Sequence, residues 1–207
     1  MYDRKDAFYR KAKVEGFKSR AAYKLMELNK KHALFRSGDA VLDVGCAPGG
    51  WVQVVLQQKK CTVVGVDLLE VTNLEDTRFT FIQGDITKQD TVDKVLEIHE
   101  KYDCVISDAA PNTSGSKLLD HVNSVDLVRL IYRFTKTVLK PGGNFVFKVF
   151  EGEDRDALVR DIKKDFNFSK MLRPEATRKN SFEMYIVFKG FKGVEEPQEE
   201  QESQEQE

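Results

Sequence analysis

The sequence predicts an α/β fold in which a mostly parallel β-sheet is flanked by helices. Short apolar segments alternate with segments of helical periodicity, an order typical of βαβ units. Several of the apolar segments end in an aspartate, and the first is followed by a glycine-rich turn. A length of 207 residues with 41% hydrophobic side chains is sufficient for one sizeable core.

The first half of the chain contains two predicted helices and three predicted strands. An apolar stripe on a 3.6-residue period predicts a helix over 19–35, and the buried run AVLDVG predicts a strand over 40–45. A helix over 51–58 follows the glycine-rich turn. The apolar runs CTVVGVD (61–67) and RFTFIQGD (78–85) predict the next two strands, and each of them ends in an acid.

The second half continues the alternation. A helix is predicted over 89–100, a strand over 102–110 and a long amphipathic helix over 121–139, which the sequence KPGG closes. GNFVFKVF predicts a strand over 143–150, and a helix follows over 154–166.

Two strands, 168–172 and 181–190, complete the predicted sheet. Because they are close in sequence, we expect them to form a hairpin-like edge. The segment 194–207 is rich in Glu and Gln and poor in hydrophobic residues, so we expect it to be disordered.

Charge is unevenly distributed along the chain, although the formal net charge is only −1. Residues 1–36 carry eleven Lys or Arg against four Asp or Glu, whereas residues 194–207 carry seven Glu and no basic residue. A basic N-terminal segment indicates a polyanionic partner.

Several classes of protein are excluded. No run of about 18 apolar residues exists, and the N-terminus is too charged for a secretory signal peptide. The three histidines are scattered without metal-ligand spacing, which favours a protein without a metal site. Cys46, Cys61 and Cys104 lie in apolar contexts with no CxxC pair, so we expect buried thiols in a reducing cytosol.

The turn LDVGCAPGGW (42–51) combines Gly45, Gly49 and Gly50, which allow a ligand to approach the backbone closely. Its spacing is neither the GxGxxG of dinucleotide-binding proteins nor that of a P-loop. Taken alone, it is equally compatible with a plain structural turn.

Acids end three successive predicted strands: Asp67, Asp85 and Asp108. Ligands of open α/β sheets bind at the carboxyl ends of strands. An acid after the second strand suits the two hydroxyls of a ribose, and one after the third suits the exocyclic amine of a base. Each acid alone is more simply a cap or turn residue, but together they indicate an adenosine-containing ligand without a phosphate to bind.

The motifs DVGCAPGGW, GVDL, GD (84–85) and SDAAPN (107–112) resemble the S-adenosylmethionine site of FtsJ-type RNA 2′-O-ribose methyltransferases. The similarity extends to SRAAYKL (19–25), LKPGGNFVFKVF (139–150) and RPEATRKNSFEMYIV (173–187), and covers the chain to about residue 190. It implies a Rossmann-like class I methyltransferase fold, whose seven-stranded sheet is mostly parallel with an antiparallel last strand.

The resemblance also implies site residues. The implied cofactor-binding residues are Gly45, Pro48, Gly49, Gly50, Trp51, Asp67, Asp85, Ile86 and Asp108. A catalytic tetrad known in the family maps onto Lys24, Asp108, Lys148 and Glu183.

The sequence itself makes two of the four tetrad residues unusual. Lys148 and Glu183 interrupt apolar strands, where an unpaired charge would be costly to bury. A period of two directs both toward a polar face at the edge of the sheet, and a structural salt bridge between them is the simpler alternative. For Lys24 the simpler alternative is a solvated helix lysine.

Methyl transfer to a ribose hydroxyl requires in-line alignment and removal of a proton. Lys148 is the candidate base, which needs a neutral amine. Asp108 and Glu183 are expected to orient the lysines and the ribose, and the sequence leaves open which acid orients which group.

The basic segment is the expected RNA surface, with cations for phosphates and aromatic rings for base stacking. Its candidate residues are Arg4, Lys5, Arg10, Lys11, Lys13, Lys18 and Arg20, with Tyr2, Phe8, Tyr9 and Phe17. A second basic cluster consists of Arg173, Arg178 and Lys179. A charged, solvated helix face is the simpler alternative.

The expected organisation is an RNA-binding segment (1–36) packed on the core, an S-adenosylmethionine-dependent methyltransferase domain (37–193) and a disordered acidic tail (194–207). We expect a cytoplasmic, metal-free, monomeric enzyme without membrane contact, which methylates the 2′-hydroxyl of a uridine in large-subunit (23S) ribosomal RNA. The alternatives are the same chemistry on the tRNA anticodon loop, a nicotinamide-dependent oxidoreductase, and a non-catalytic ribosome-assembly factor that binds RNA.

Overall fold

Seven strands form a single sheet in the order β3-β2-β1-β4-β5-β7-β6, in a computed structural model that describes residues 7–58 and 60–194. Strands β1 to β5 run parallel, and β7 is antiparallel to both of its neighbours. This confirms the predicted fold class. The strands are β1 (Ala40–Val44), β2 (Thr62–Asp67), β3 (Phe79–Gln83), β4 (Tyr102–Ser107), β5 (Leu139–Phe150), β6 (Phe166–Leu172) and β7 (Glu183–Phe191).

Helices cover both faces of the sheet, so that its central strands are buried on both sides. Side chains of α2 and α3 pack on one face, and those of α4, α5 and α6 pack on the other. The helices are α1 (Ala7–Val14), α2 (Ala21–His32), α3 (Gly50–Gln58), α4 (Gln89–Ile98), α5 (Lys117–Val138) and α6 (Arg155–Lys163).

The sheet positions a ligand site through its strand order. The chain leaves β1 toward β2 on one side and later places β4 on the other side of β1. Such a switch point opens a crevice at the carboxyl ends of the two strands. The turn after β1 and the loop after β4 therefore face each other.

Apart from shifts of a few residues at element ends, the structure differs from the predicted elements in three places. Residues 7–14 form a helix, α1, that the sequence pattern did not indicate. Helix α5 begins at Lys117 rather than 121, because the Ser116 side chain accepts a hydrogen bond from the Leu119 amide. The KPGG sequence lies within β5 as an irregularity between two paired stretches, so it does not form a separate turn.

The expected disorder of the acidic tail concerns residues that, beyond Val194, lie outside those described, and so do Tyr2, Arg4 and Lys5 of the basic segment. Within the described part of the chain, no helix is long and apolar enough to cross a membrane.

Candidate active site

The three strand-end acids converge at the carboxyl edge of the sheet. A cavity of about 310 Å³ opens there, between the ends of β1, β2 and β4 and the residues after β3. Its lining includes Gly45, Asp67, Asp85, Ile86 and Asp108. The structure thus brings together the acids that the sequence separates by up to 41 positions.

The glycine-rich turn forms one wall of this cavity. Gly45 has a φ of 76°, in the left-handed region that favours glycine. A Cβ atom at Gly45 would lie 2.5 Å from the Cβ of Ala109, so only glycine allows β1 to approach the loop after β4. The turn is therefore shaped by close packing as well as by access to a ligand.

Asp67 is held in a fixed orientation at the end of β2. Its carboxylate accepts hydrogen bonds from the amides of Ala47 (2.8 Å) and Leu69 (2.9 Å). A carboxylate oxygen has more than one acceptor site. Asp67 can therefore keep both backbone contacts and still accept hydrogen bonds from the hydroxyls of a ligand in the cavity.

Asp85 combines a local structural role with a place in the cavity lining. One of its oxygens accepts hydrogen bonds from the amide (2.9 Å) and the hydroxyl (2.8 Å) of Thr87. These hydrogen bonds lower the pKa of Asp85 below the usual carboxyl range. The side chain is thus ionised at neutral pH and remains an acceptor.

A second cavity, of about 170 Å³, lies next to the first and shares Gly45 and Asp108 with it. Pro48, Gly50 and Trp51 are part of its lining. The indole of Trp51 is fixed because its Nε1 donates a hydrogen bond to the Ala21 carbonyl of α2 (2.8 Å).

Gly49 differs from the other predicted residues of the turn. Gly49 is not part of the lining of either cavity. Its φ of 105° lies in the region that favours glycine and allows the chain to make the turn. Gly49 donates its amide hydrogen to the Cys46 carbonyl (2.7 Å).

Asp43 is a site residue that the sequence analysis missed. It is the penultimate residue of β1, lines the second cavity, and is only 1% exposed. Neither of its carboxylate oxygens has a hydrogen-bond partner among the described residues. Burial, reinforced by the charges of Asp108 and Asp67, raises the pKa of Asp43 well above the usual range. The signal in the sequence was an acid within the apolar run AVLDVG.

The four predicted tetrad residues are connected through a fifth residue, Tyr185. Lys24 Nζ donates hydrogen bonds to Glu183 and to the Tyr185 hydroxyl (2.8 Å), and that hydroxyl donates to Asp108 Oδ1 (2.6 Å). Lys148 Nζ lies 3.1 Å from the same oxygen and donates to the backbone carbonyl of Asp108 (2.6 Å). We call this chain of contacts, from Glu183 to Lys148, the polar chain.

The pairing of β5 with β7 explains how the polar chain is assembled. The register places Lys148 directly opposite Tyr185, and the two-residue period puts Glu183 on the same face. Helix α2 packs over this face and supplies Lys24, which is only 6% exposed. Lys24 is therefore not the solvated helix lysine of the simpler alternative.

The strand order corrects the expected position of Lys148 and Glu183, and the contacts decide against the alternative of a salt bridge between them. Lys148 and Glu183 lie on interior strands, not at the edge of the sheet, because β6 forms that edge. They do not form a salt bridge with each other in the described structure. Instead Lys148 pairs with Asp108, and Glu183 pairs with Lys24.

Asp108 is the electrostatic centre of the polar chain. Burial alone would raise the pKa of Asp108. The nearby Lys148 and Lys24 ammonium groups and the Tyr185 hydroxyl lower it by more than burial raises it, so the pKa lies below the usual carboxyl range. The carboxylate therefore stays ionised. It can hold Lys148 in place from one side while it borders both cavities on the other.

The residues present fit S-adenosylmethionine, the cofactor that the resemblance implies. That molecule carries two hydroxyls, an aromatic base and two cationic groups near each other. The larger cavity presents carboxylates at Asp67 and Asp85, and the smaller one presents the unpartnered carboxylate of Asp43. Among residues 7–58 and 60–194, no three His, Cys, Asp or Glu side chains come together as a metal ion would require.

Curated proteins of known name align with almost the whole chain. It is 48% identical over 189 residues to the ribosomal RNA large subunit methyltransferase E of Archaeoglobus fulgidus, which covers 91% of this chain and 97% of that protein. It is 44% identical over 193 residues to the protein of the same name from Methanothermobacter thermautotrophicus, with 90% and 92% covered.

Among solved structures, a Plasmodium falciparum protein provisionally described as a ribosomal RNA methyltransferase superimposes with a TM-score of 0.78 at 32% identity. The match covers 86% of this chain and all of that one. The family of FtsJ-like methyltransferases matches residues 17–191, which include all four members of the predicted tetrad. This chain belongs to the FtsJ-like methyltransferase family.

Proposed function

We propose that the protein transfers a methyl group from S-adenosylmethionine to the 2′-hydroxyl of a uridine in large-subunit ribosomal RNA. The observation that carries this proposal is the polar chain, which ends at Lys148 beside the two cavities. The large-subunit RNA is the substrate in the names of the relatives. We further propose that the protein works in the cytoplasm as a monomer, with residues 1–36 as its RNA-binding segment.

S-adenosylmethionine, the methyl donor of this family, supplies a sulfonium methyl that is already activated for displacement. We propose that Asp67 accepts hydrogen bonds from its ribose hydroxyls and that Asp85, beside Ile86, accepts one from its base. The buried carboxylate of Asp43 would face its ammonium group across the smaller cavity. Each assignment follows from the position of the carboxylate in the cavity lining.

In the proposed mechanism, Lys148 Nζ removes the proton of the ribose 2′-hydroxyl. Asp108 fixes the amine through its carboxylate and its backbone carbonyl, so that little side-chain freedom is lost on reaching the reactive geometry. Glu183 and Tyr185 hold the Lys24 side chain at its place in the polar chain by accepting hydrogen bonds from its Nζ.

Helix α1 supports the proposed RNA surface. Arg10, Lys11 and Lys13 are exposed on it, and the Tyr9 ring is 41% exposed. The helix docks through Ala12, which packs with Tyr23 of α2. A cationic, aromatic face thus lies on the same side of the sheet as Lys24.

The proposed function is tested by incubating the purified protein with labelled S-adenosylmethionine and ribosomal RNA from cells that lack the gene. We expect label in one uridine of the large-subunit RNA, at a position that resists alkaline cleavage because its 2′-oxygen is methylated. Label in tRNA would overturn the substrate assignment, and label in a base would overturn the 2′-O chemistry. Binding of the cofactor without any transfer would support the non-catalytic alternative.

Asp67→Ala is expected to weaken S-adenosylmethionine binding by about 1.5–3 kcal/mol, because hydrogen bonds to a charged group are lost. Calorimetric titration measures this loss directly. Asp93→Ala, which removes an exposed carboxylate of α4, serves as the control and should leave the affinity unchanged. Equal affinities of the Asp67 variant and the wild type would place the cofactor elsewhere.

Replacing Arg10 and Lys13 together by alanine is expected to weaken RNA binding and to flatten its dependence on salt, because two phosphate contacts are lost. The cofactor affinity should not change. The control replaces two exposed lysines far along the chain, Lys94 and Lys163. An unchanged slope of log affinity against log salt for the α1 variant would exclude this helix from the RNA surface.

A further inference from the structure

A cationic surface surrounds an exposed aromatic ring where the end of α2 meets the edge strand β6. The ring is that of Phe168, which is 42% exposed, and its centroid lies 6.1 Å from that of the His32 ring. None of the residues of this surface lines either cavity assigned to the cofactor. We call it the α2–β6 patch, and its members are Lys30, Lys31, His32, Phe168, Lys170 and Lys189.

The pairing of β6 with β7 places the strand members of the patch on one face of the sheet. Phe168 lies opposite Lys189, and Lys170 lies opposite Val187. Side chains two positions apart in a strand share a face, so Phe168 and Lys170 lie on the same side as Tyr185, where α2 packs. The α2–β6 patch is therefore on the same side of the sheet as the polar chain.

Two lysines of the patch are available to bind an anion. Within the part of the chain that the structure describes, the Lys30 and Lys170 side chains are exposed and form no hydrogen bond or ion pair. Lys31 differs from them, because its ammonium group pairs with the Glu27 carboxylate (2.6 Å). Lys30 and Lys170 are thus the cations that a ligand of the patch would meet first.

The ammonium groups of the patch lie close enough to act on His32. The pKa of the half-buried His32 ring lies below its usual range, first because of burial and then because of the charges of Lys189, Lys170 and Lys31. Lys189 also donates a hydrogen bond to the His32 carbonyl (2.7 Å). The imidazole is therefore neutral at neutral pH, and it adds aromatic surface beside Phe168 rather than another positive charge.

Stabilisation of α2 explains only part of the patch. Cations near the C-terminus of a helix are favourable, which accounts for Lys30 and Lys31 in the last turn of α2. It does not account for Lys170 or for the exposed ring of Phe168, which belong to β6. An exposed ring among cations is the arrangement with which proteins bind unpaired nucleic acid, because the cations contact phosphates and a base stacks on the ring.

We infer that the α2–β6 patch binds an unpaired stretch of the substrate RNA, an inference that rests on the proposed function. Lys30 and Lys170 contact phosphates, and a base stacks on Phe168. His32 follows Lys24 by eight positions in α2, which corresponds to about 12 Å along a helix. The bound stretch therefore lies outside the reacting nucleotide, and it contributes affinity for the RNA rather than chemistry.

The test measures RNA affinity as a function of salt, with a fragment of large-subunit RNA that contains the methylated uridine once it has been mapped. One variant combines Lys30→Ala with Lys170→Ala, and a second is Phe168→Ala. A third, Phe168→Tyr, keeps an aromatic ring at the same position. All of these side chains are exposed, so the substitutions leave the core intact.

The controls lie on the opposite face of the sheet, where α4, α5 and α6 pack. Lys94→Ala combined with Lys163→Ala removes two exposed lysines and matches the lysine variant in charge. Leu130→Ala removes a side chain that is 41% exposed and matches Phe168→Ala in exposure. Both control proteins should bind RNA like the wild type.

The lysine variant is expected to reduce the slope of log affinity against log salt by about 1.4, since each phosphate contact of a single strand contributes about 0.7. Phe168→Ala should weaken RNA binding by about 5- to 150-fold, the usual loss of one stacked base, without changing that slope. Phe168→Tyr should bind like the wild type. In methylation assays KM for the RNA should rise in the lysine variant and in Phe168→Ala, while kcat and the affinity for S-adenosylmethionine stay unchanged.

An unchanged salt slope in the lysine variant, or unchanged RNA affinity of Phe168→Ala, would overturn the inference, while methylation by the wild type leaves the proposed function standing. Losses of the same size in the control proteins would overturn it as well. Variants that bind free RNA normally but methylate assembled subunits poorly would assign the patch to a protein partner instead. Absence of 2′-O-methylation by the wild type would reject the proposed function, and this inference with it.

Discussion

Lys148→Ala is expected to lower the rate of methyl transfer by about 10²–10⁴-fold, the usual effect of removing a general base. The fold and the affinity for S-adenosylmethionine should be retained, because Lys148 lies in neither cavity lining assigned to the cofactor. Single-turnover methylation of the RNA substrate, together with a cofactor titration, measures both quantities.

Lys148→Arg separates two roles for this side chain. A base must have a neutral form, and arginine is effectively never neutral, whereas an electrostatic clamp requires only a permanent cation. We expect the arginine variant to be as inactive as the alanine variant. A control at the opposite end of the sheet, Lys140→Arg, alters a lysine that pairs with Asp103 and should leave the rate unchanged. Near-normal rates for Lys148→Arg would show that Lys148 acts only as a positioning charge and not as the general base.

Asp43→Asn is expected to weaken S-adenosylmethionine binding by about 1.5–3 kcal/mol, since the buried carboxylate would lose its charge toward the ammonium group. Because burial raises the pKa of Asp43 in the free protein, the wild type should also release a proton when the cofactor binds at a pH below that raised pKa. Titration calorimetry in buffers of different ionisation enthalpy counts that proton. The asparagine variant should release fewer protons, and equal proton release by the two proteins would contradict the role of Asp43.

The same substitution has a consequence for stability in the absence of the cofactor. A raised pKa means that the folded protein binds the Asp43 proton more tightly than the unfolded chain does. The free energy that Asp43 contributes is therefore retained at low pH and is lost as pH rises above about 3.9, the usual carboxyl pKa. The loss amounts to about 1.4 kcal/mol for each pH unit by which the pKa is raised.

Denaturant unfolding of the wild type and of Asp43→Asn across this pH range measures the difference. We expect the variant to gain stability relative to the wild type as pH increases toward neutrality. Asp93→Asn, at an exposed position of α4, should show no such trend. If the difference in unfolding free energy between Asp43→Asn and the wild type were independent of pH, the pKa of Asp43 would not be raised on folding.

The sequence determined the features that depend on local pattern. In the described part of the chain, apolar runs, helical periodicity and turn residues located all seven strands and five of the six helices, because each signal lies within one segment. The position of the acids at the strand ends could be predicted for the same reason, since Asp67 is the last residue of β2 and Asp108 directly follows β4. Helix α1 escaped detection because it is short and its only buried residue is Ala12.

The catalytic tetrad and the cofactor were predicted from the resemblance of the motifs to a known family, because local sequence pattern alone does not indicate them. Physical reasoning from the sequence alone identified Lys148 and Glu183 as misplaced charges in apolar strands. A salt bridge between them remained open as the simpler alternative, because the register of two strands and the helix above them are not local properties.

Only the tertiary structure decided which charges meet. Lys24 and Glu183 are 159 positions apart, and they pair because α2 packs over the face of β7 that carries Glu183 and Tyr185. That packing buries Tyr185 between Lys24 and Asp108. Asp43 has no hydrogen-bond partner among the residues that the structure describes. Burial and long-range contact depend on how distant segments pack together, which is why the sequence determined the acids and lysines of this site but the fold determined their partners.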